Sequence, residues 1–171
     1  MRYIIDAFNL IFQDTQLQEA QDERGFNAAQ VLLCARLARF AAGSDSTQIV
    51  AVFDGSPRGS RTPATERGGT GNVSVVHTGV GKKADGYIVE LIEAERDRQQ
   101  FTVVSTDKFI ANSARKAGAH VLSCKEFLRL MRETKDGRKN PRQGEDPRKF
   151  KGLTDWEVQE WMDYFGFTEK D

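Results

Sequence analysis

Residues 48–53 are apolar from Ile49 to Phe53, rich in β-branched side chains, and bounded by Ser44-Asp45-Ser46 before and Asp54-Gly55 after. A run this short and this uniformly apolar reads as a strand covered on both faces, the signature of a parallel sheet. The same signal recurs at 3–6, 72–77, 101–105 and 120–122. Between these runs lie stretches of helical period. Ala29, Leu33, Leu37, Phe40 and Ala41 share one face of 27–42, and Tyr87, Ile88, Leu91 and Ile92 one face of 84–98. Residues 107–116 form a further helix that Gly118 stops, and Ser123 and Glu126 make a capping box that opens a helix running to about Glu133. The alternation predicts an α/β fold of three layers, a mostly parallel sheet with helices on both faces. Residues 13–24 are polar and carry no periodic signal. Residues 55–71 hold five of the fifteen glycines together with Pro57 and Pro63, and read as a loop.

Three units follow: a domain over 1–133, a linker over 134–152 and a helical appendage over 153–171. From 135 to 151 the only large apolar residue is Phe150, and the net charge is +4. Beyond it Thr154 and Glu157 form another capping box, and Val158, Trp161, Met162 and Phe165 fall on one helical face. One short helix is marginal alone in water, so this segment is expected to dock on something.

Lys plus Arg and Asp plus Glu each number 25, so the chain has no overall attraction for polyanions, and any hold on nucleic acid must come from local patches. No apolar run approaches the roughly 20 residues of a membrane span. The opening residues are broken by Asp6 and Asn9 before a signal-peptide core develops, so a cytoplasmic protein is expected. Cys34 and Cys124 stand in no metal-binding spacing and read as buried structural thiols.

Chemistry is suggested by four aspartates. Asp6 and Asp54 end strands, Asp107 follows the 101–105 strand, and Asp85 lies in the first turn of the 84–98 helix. In a parallel sheet the carboxyl ends of the strands form one edge, where ligands bind, and a right-handed crossover brings Asp85 there as well. Each acid also has an ordinary structural use: a turn for Asp6, the Asp-Gly turn for Asp54, the helix dipole for Asp85, an N-cap for Asp107. Together they would repel unless a cation lay among them, and oxygen donors without His or Cys suit Mg²⁺ or Mn²⁺. Asn9 is placed to hold a ligand acid or a phosphate oxygen, or to cap the segment after the first strand.

A metal among carboxylates serves phosphodiester hydrolysis. Residues 55–83, with Arg58, Arg61, Arg67, Lys82 and Lys83 against Glu66, carry a net of +4, and with the linker give two basic flanks around an acidic centre. His77 reads as a strand-end residue rather than a base. Phe8, Phe12 and Tyr87 read as core, with Tyr87 near enough to Asp85 to line the pocket. A phosphohydrolase with a nucleophilic aspartate would want a second acid two residues after Asp6, where Phe8 stands.

The motifs Tyr3-Ile4-Ile5-Asp6-Ala7-Phe8-Asn9-Leu10-Ile11, Val52-Phe53-Asp54-Gly55, Ala84-Asp85-Gly86-Tyr87-Ile88 and Val104-Ser105-Thr106-Asp107 resemble, in order, those of the NYN-domain ribonucleases, the PIN-like nucleases that include the YacP group. The likeness spans residues 2–133. It implies a PIN-like fold and Mg²⁺- or Mn²⁺-dependent endonucleolytic cleavage of RNA leaving 5′-phosphate and 3′-hydroxyl ends. The ligand and catalytic acids would be Asp6, Asp54, Asp85 and Asp107, with Asn9, Arg58, Arg61, Lys82, Lys83 and Thr106 on the substrate. RNA would be the partner, whether mRNA, tRNA or rRNA, free or on the ribosome. Ala7 and Phe8 replace the commoner Gly and Tyr, and Val89 stands where many relatives have glutamate, with Glu90 one position later. The segment 153–166 looks like an appendage of some bacterial relatives. The alternative function is a non-catalytic RNA- or ribosome-binding module on the same fold.

Overall fold

The computed structural model describes residues 1–44, 46–55, 64–67, 72–95 and 100–137. The elements run β1 (Arg2–Asp6), α1 (Ala7–Gln13), α2 (Thr15–Arg24), α3 (Phe26–Ala41), β2 (Gln48–Phe53), β3 (Ala64–Arg67), β4 (Val73–His77), α4 (Ala84–Ala94), β5 (Phe101–Val104), α5 (Lys108–Lys116), β6 (His120–Leu122) and α6 (Cys124–Gly137). One sheet of order β3-β4-β2-β1-β5-β6 collects all six strands, five of them parallel and β3 antiparallel to β4 at the edge.

Alternation along each strand divides the core into two layers. Tyr3, Ile5, Ile49, Ala51, Phe53 and Val104 pack with residues of α1, α3 and α6 on one face. Ile4, Val52, Phe101 and Val103 pack with α4 and α5 on the other. Ile4 and Ile5 are both fully buried, which accounts for an unbroken apolar run in a strand at the centre of the sheet. The aromatic cluster Tyr3, Phe40 and Phe127, with centroids 5.2–5.7 Å apart, ties α3 and α6 to β1.

The three-layer α/β expectation is met, with local corrections. The polar stretch 13–24 is mostly the helix α2. Only Leu17 of it is buried, so no apolar stripe betrays it. It forms because Gln, Glu and Ala are good helix formers and because the Asp14 carboxylate accepts from the Gln16 and Leu17 amides at 3.0 and 3.1 Å. Gly25, at φ +87°, lets the chain turn straight into α3. Within the expected loop 55–71 the four residues of β3 pair with β4, Ala64 opposite His77 and Arg67 opposite Ser74. Helix α4 stops at Ala94 rather than near 98, and α6 continues four residues past Glu133 to Gly137. Phe12 is 55% exposed rather than core, because Ala7, Leu10 and Ile11 make the inward face of α1. Phe8 and Phe12 lie together on its flank, and Phe8 stacks on Phe26 at 4.5 Å.

Both cysteines are buried thiols outside any disulfide. Among the described residues no helix is long and apolar enough to cross a membrane. The linker beyond Gly137 and the appendage at 153–171 lie outside the described residues, as do Arg58 and Arg61.

Candidate active site

Strand β1 lies between β2 and β5, and the chain leaves these neighbours in opposite directions, toward β4 on one side and β6 on the other. The crevice at the carboxyl ends of β1 and β5 is therefore the topological switch point, where open α/β sheets bind ligands. Asp6 ends β1 there, and Ser105-Thr106-Asp107 leads out of β5.

Asp6 is 4% exposed. It caps α1, its Oδ1 accepting from the Asn9 amide at 3.1 Å, while its Oδ2 accepts from the Ser105 hydroxyl at 3.1 Å. The Ser105 oxygen in turn accepts from the Asp107 amide at 3.1 Å, and the Asn9 side-chain amide donates to it at 3.4 Å. Asn9 Oδ1 accepts from the Cys124 thiol at 3.8 Å, which brings the first turn of α6 into the same network. Burial pushes the Asp6 carboxyl above the ordinary carboxylate range; the hydrogen bonds from Asn9 and Ser105 oppose the rise, and the charge of Asp85 adds to it. Burial likewise raises the Cys124 thiol, against hydrogen bonding with Thr106.

The other acids are disposed differently. Asp85, partly buried in the first turn of α4, is close enough for its charge to be felt at Asp6. Asp54 is exposed, and its Oδ1 accepts from the Ala84 amide, so it supplies the cap that Lys83, the residue at the N-cap position of α4, does not. Asp107 caps α5, accepting from the Phe109 and Ile110 amides at 2.7 and 3.1 Å. Its second oxygen is in none of these bonds. Asp6, Asp54 and Asp107 thus each cap a helix at the same edge, and Asp85, in the first turn of α4, adds its charge to the field at the buried Asp6. Among the described residues no three His, Cys, Asp or Glu side chains stand together as a ready metal centre.

Thr106, Lys82 and Lys83 are exposed beside this edge. The Lys82 carbonyl accepts from the buried Thr78 hydroxyl at 2.7 Å, and that oxygen accepts from the Gly55 amide at 3.1 Å, so the turn carrying the lysines is fastened to the strand end bearing Asp54. His77 ends β4, the strand-end position read from its sequence, and is buried there, 3.3 Å from the Gln30 side chain and stacked on Phe53. Glu90 is exposed and Val89 half-buried. Ser105 was not singled out from sequence. Its signal was its position directly after the strand beside β1, two residues before an acid.

A YacP-like NYN domain model matches residues 3–164. The chain belongs to that family, whose domains are nuclease-like. The match reaches past the last described residue and through most of the appendage. Two solved structures of Rae1 (YacP) from Bacillus subtilis share the fold. One, a mutant with leucine in place of a tryptophan, superposes with a TM-score of 0.62 at 21% identity, covering 80% of this chain and 77% of that one. The other gives 0.62 at 20%, covering 80% and 76%. Among curated proteins none matches.

Proposed function

We propose that the chain is a Mg²⁺- or Mn²⁺-dependent endoribonuclease of the cytoplasm, acting on mRNA, tRNA or rRNA, including RNA on the ribosome. The observation that carries this reading is the buried Asp6 carboxyl at the switch point, raised by burial and by the charge of Asp85, within a nuclease-like family. The Asp6 and Asp85 carboxylates supply oxygen donors of the kind a hard divalent ion takes. Asp6 and Asp85 would hold it, with the second oxygen of Asp107 and, on release of the Ala84 amide, Asp54 completing the set. A bound ion of this kind lowers the pKa of water and offsets charge on phosphoryl oxygens.

The protein's own residues do the rest. Asn9 and Ser105 fix both oxygens of Asp6, so the carboxylate keeps one orientation. Lys82 and Lys83, with Arg58, Arg61 and the basic linker, would hold the phosphate backbone across the acids, and Thr106 would bond a phosphate or sugar oxygen. By family resemblance the products carry 5′-phosphate and 3′-hydroxyl ends.

A second reading, a non-catalytic RNA- or ribosome-binding module, is favoured by one observation: Asp54 and Asp107 are already engaged as helix caps. Cleavage of end-labelled RNA in Mn²⁺, Mg²⁺ and EDTA separates the two, with Asp6→Asn and Asp85→Asn as controls. Metal-dependent cutting lost in both variants is expected. Intact RNA bound equally by wild type and variants would overturn the nuclease reading in favour of the binding module.

A further inference from the structure

A concavity of about 710 Å³ lies away from the four aspartates, between the C-terminal half of α3 and the middle of α6. Its lining includes Thr47, just ahead of β2, which sets it at the amino edge of the sheet, opposite the catalytic edge. Phe40, Leu128, Leu130 and Met131 form its apolar part. Arg36, Arg39 and Arg132 stand around them, with Arg132 72% exposed. Of the acids in the lining, Asp14 already faces Arg36 at 3.2 Å and Arg132 at 3.9 Å, and Glu133 faces Arg129 at 2.7 Å.

We propose that this groove is the docking site of the chain's own C-terminal segment, residues 153–166. Three features select that occupant. The stripe Val158, Trp161, Met162, Phe165 has the i, i+3, i+4, i+7 spacing of a helix laid in an apolar groove. Charge is complementary: residues 153–171 carry six acids against one lysine, with Asp155 and Glu157 bordering the stripe, and they meet a groove rimmed by arginines. Reach is ample, since α6 itself lines the groove before ending at Gly137. Returning from Gly137 to Leu130 is about 10 Å of helix, and the residues 138–152 between can extend to about 50 Å. Docking would hold both ends of the basic linker on the domain.

Both tryptophans of the chain, Trp156 and Trp161, lie in the segment, so fluorescence of the full-length protein excited selectively at tryptophan reports on it alone. In the wild type, emission shifted to short wavelength and resistance to acrylamide quenching are expected, independent of protein concentration. The Arg39→Glu/Arg132→Glu variant reverses two exposed charges at the rim, of which Arg132 also faces Asp14 at 3.9 Å; it should lose that protection while far-UV circular dichroism keeps the domain's spectrum. Adding Asp155→Arg and Glu157→Arg should restore it. Tryptophans as quenchable as free indole in the wild type would overturn the proposal, and so would a rim variant that keeps full protection. Protection that appears only as sedimentation shows a dimer would overturn it in favour of a second copy's segment.

Discussion

Removing the Ser105 hydroxyl tests whether the network around Asp6 works as its geometry says. Ser105 is 2% exposed, donates to Asp6 Oδ2 at 3.1 Å, and accepts from the Asp107 amide at the same distance. In Ser105→Ala the buried carboxylate loses one of its donors, and the amide loses its acceptor. A hydrogen bond to a charged group contributes about 1.5–3 kcal/mol and a neutral one about 1, so a loss of roughly 2–4 kcal/mol is expected at pH 8. For a domain of this size that lowers Tm by roughly 5–12 °C. The pH dependence is the sharper test. The Asp6 pKa is raised in the fold, so between its unfolded and folded values the native state holds the extra proton, and this group's contribution to stability falls as pH rises. Ser105 opposes that rise by favouring the ionised form. Its contribution is therefore full above the folded pKa of Asp6 and shrinks as pH drops through it. Thermal unfolding followed by circular dichroism, stepped down from neutral pH through the acid range, should show the gap between wild type and variant narrowing as Asp6 protonates. A gap that stays constant until the acid transition itself would refute the view that the hydroxyl serves the carboxylate rather than the backbone.

Asp6→Asn removes a charge that burial and Asp85 both disfavour, so without added metal it should raise Tm at neutral pH, the gain fading as pH falls through the raised pKa; a lower Tm at pH 7.5 would count against it. Lys82→Glu/Lys83→Glu should weaken binding of single-stranded RNA and flatten the salt dependence of log K by about 1.4 if both lysines contact phosphate, measured by fluorescence anisotropy across salt concentrations. Asp14→Ala removes the α2 cap and the partner of Arg36, and should cost about 1–2 kcal/mol in urea unfolding.

The sheet was legible because β-branched apolar runs such as 48–53 declare themselves wherever both faces are covered. Helix α2 was not, because a helix that buries only Leu17 has no stripe, and its stability rests on an Asp14 cap that looks like any other polar residue. Phe12 was misplaced because its spacing from Phe8 mimics a core stripe, whereas the inward face of a seven-residue helix is already filled by Ala7, Leu10 and Ile11. Strand β3 was hidden among glycines and prolines, since an antiparallel edge of four residues needs little apolar content once β4 offers its free side.

Topology put Asp6, Asp54 and Asp107 at the carboxyl edge of the strands, but among the described residues no three acids stand together, and the part each plays there was not legible. Which oxygen meets which amide depends on backbone angles at the strand ends, and no residue pattern encodes those. The functional and structural readings of these acids are not exclusive. A capping carboxylate accepts from amides through one oxygen and keeps the other for a second task, as Asp107 does at Phe109 and Ile110. Helix N-termini at a strand's carboxyl edge hold the acids in place through their amides, and offset part of the repulsion among them. The cost of holding negative charge is then left concentrated at the buried Asp6, the carboxyl with the most to gain from a cation. Substituting Asp54 or Asp107 by Asn should therefore leave the fold largely intact, since Asn caps helices about as well as Asp, and any loss of cleavage would be owed to the missing charge rather than to a lost cap.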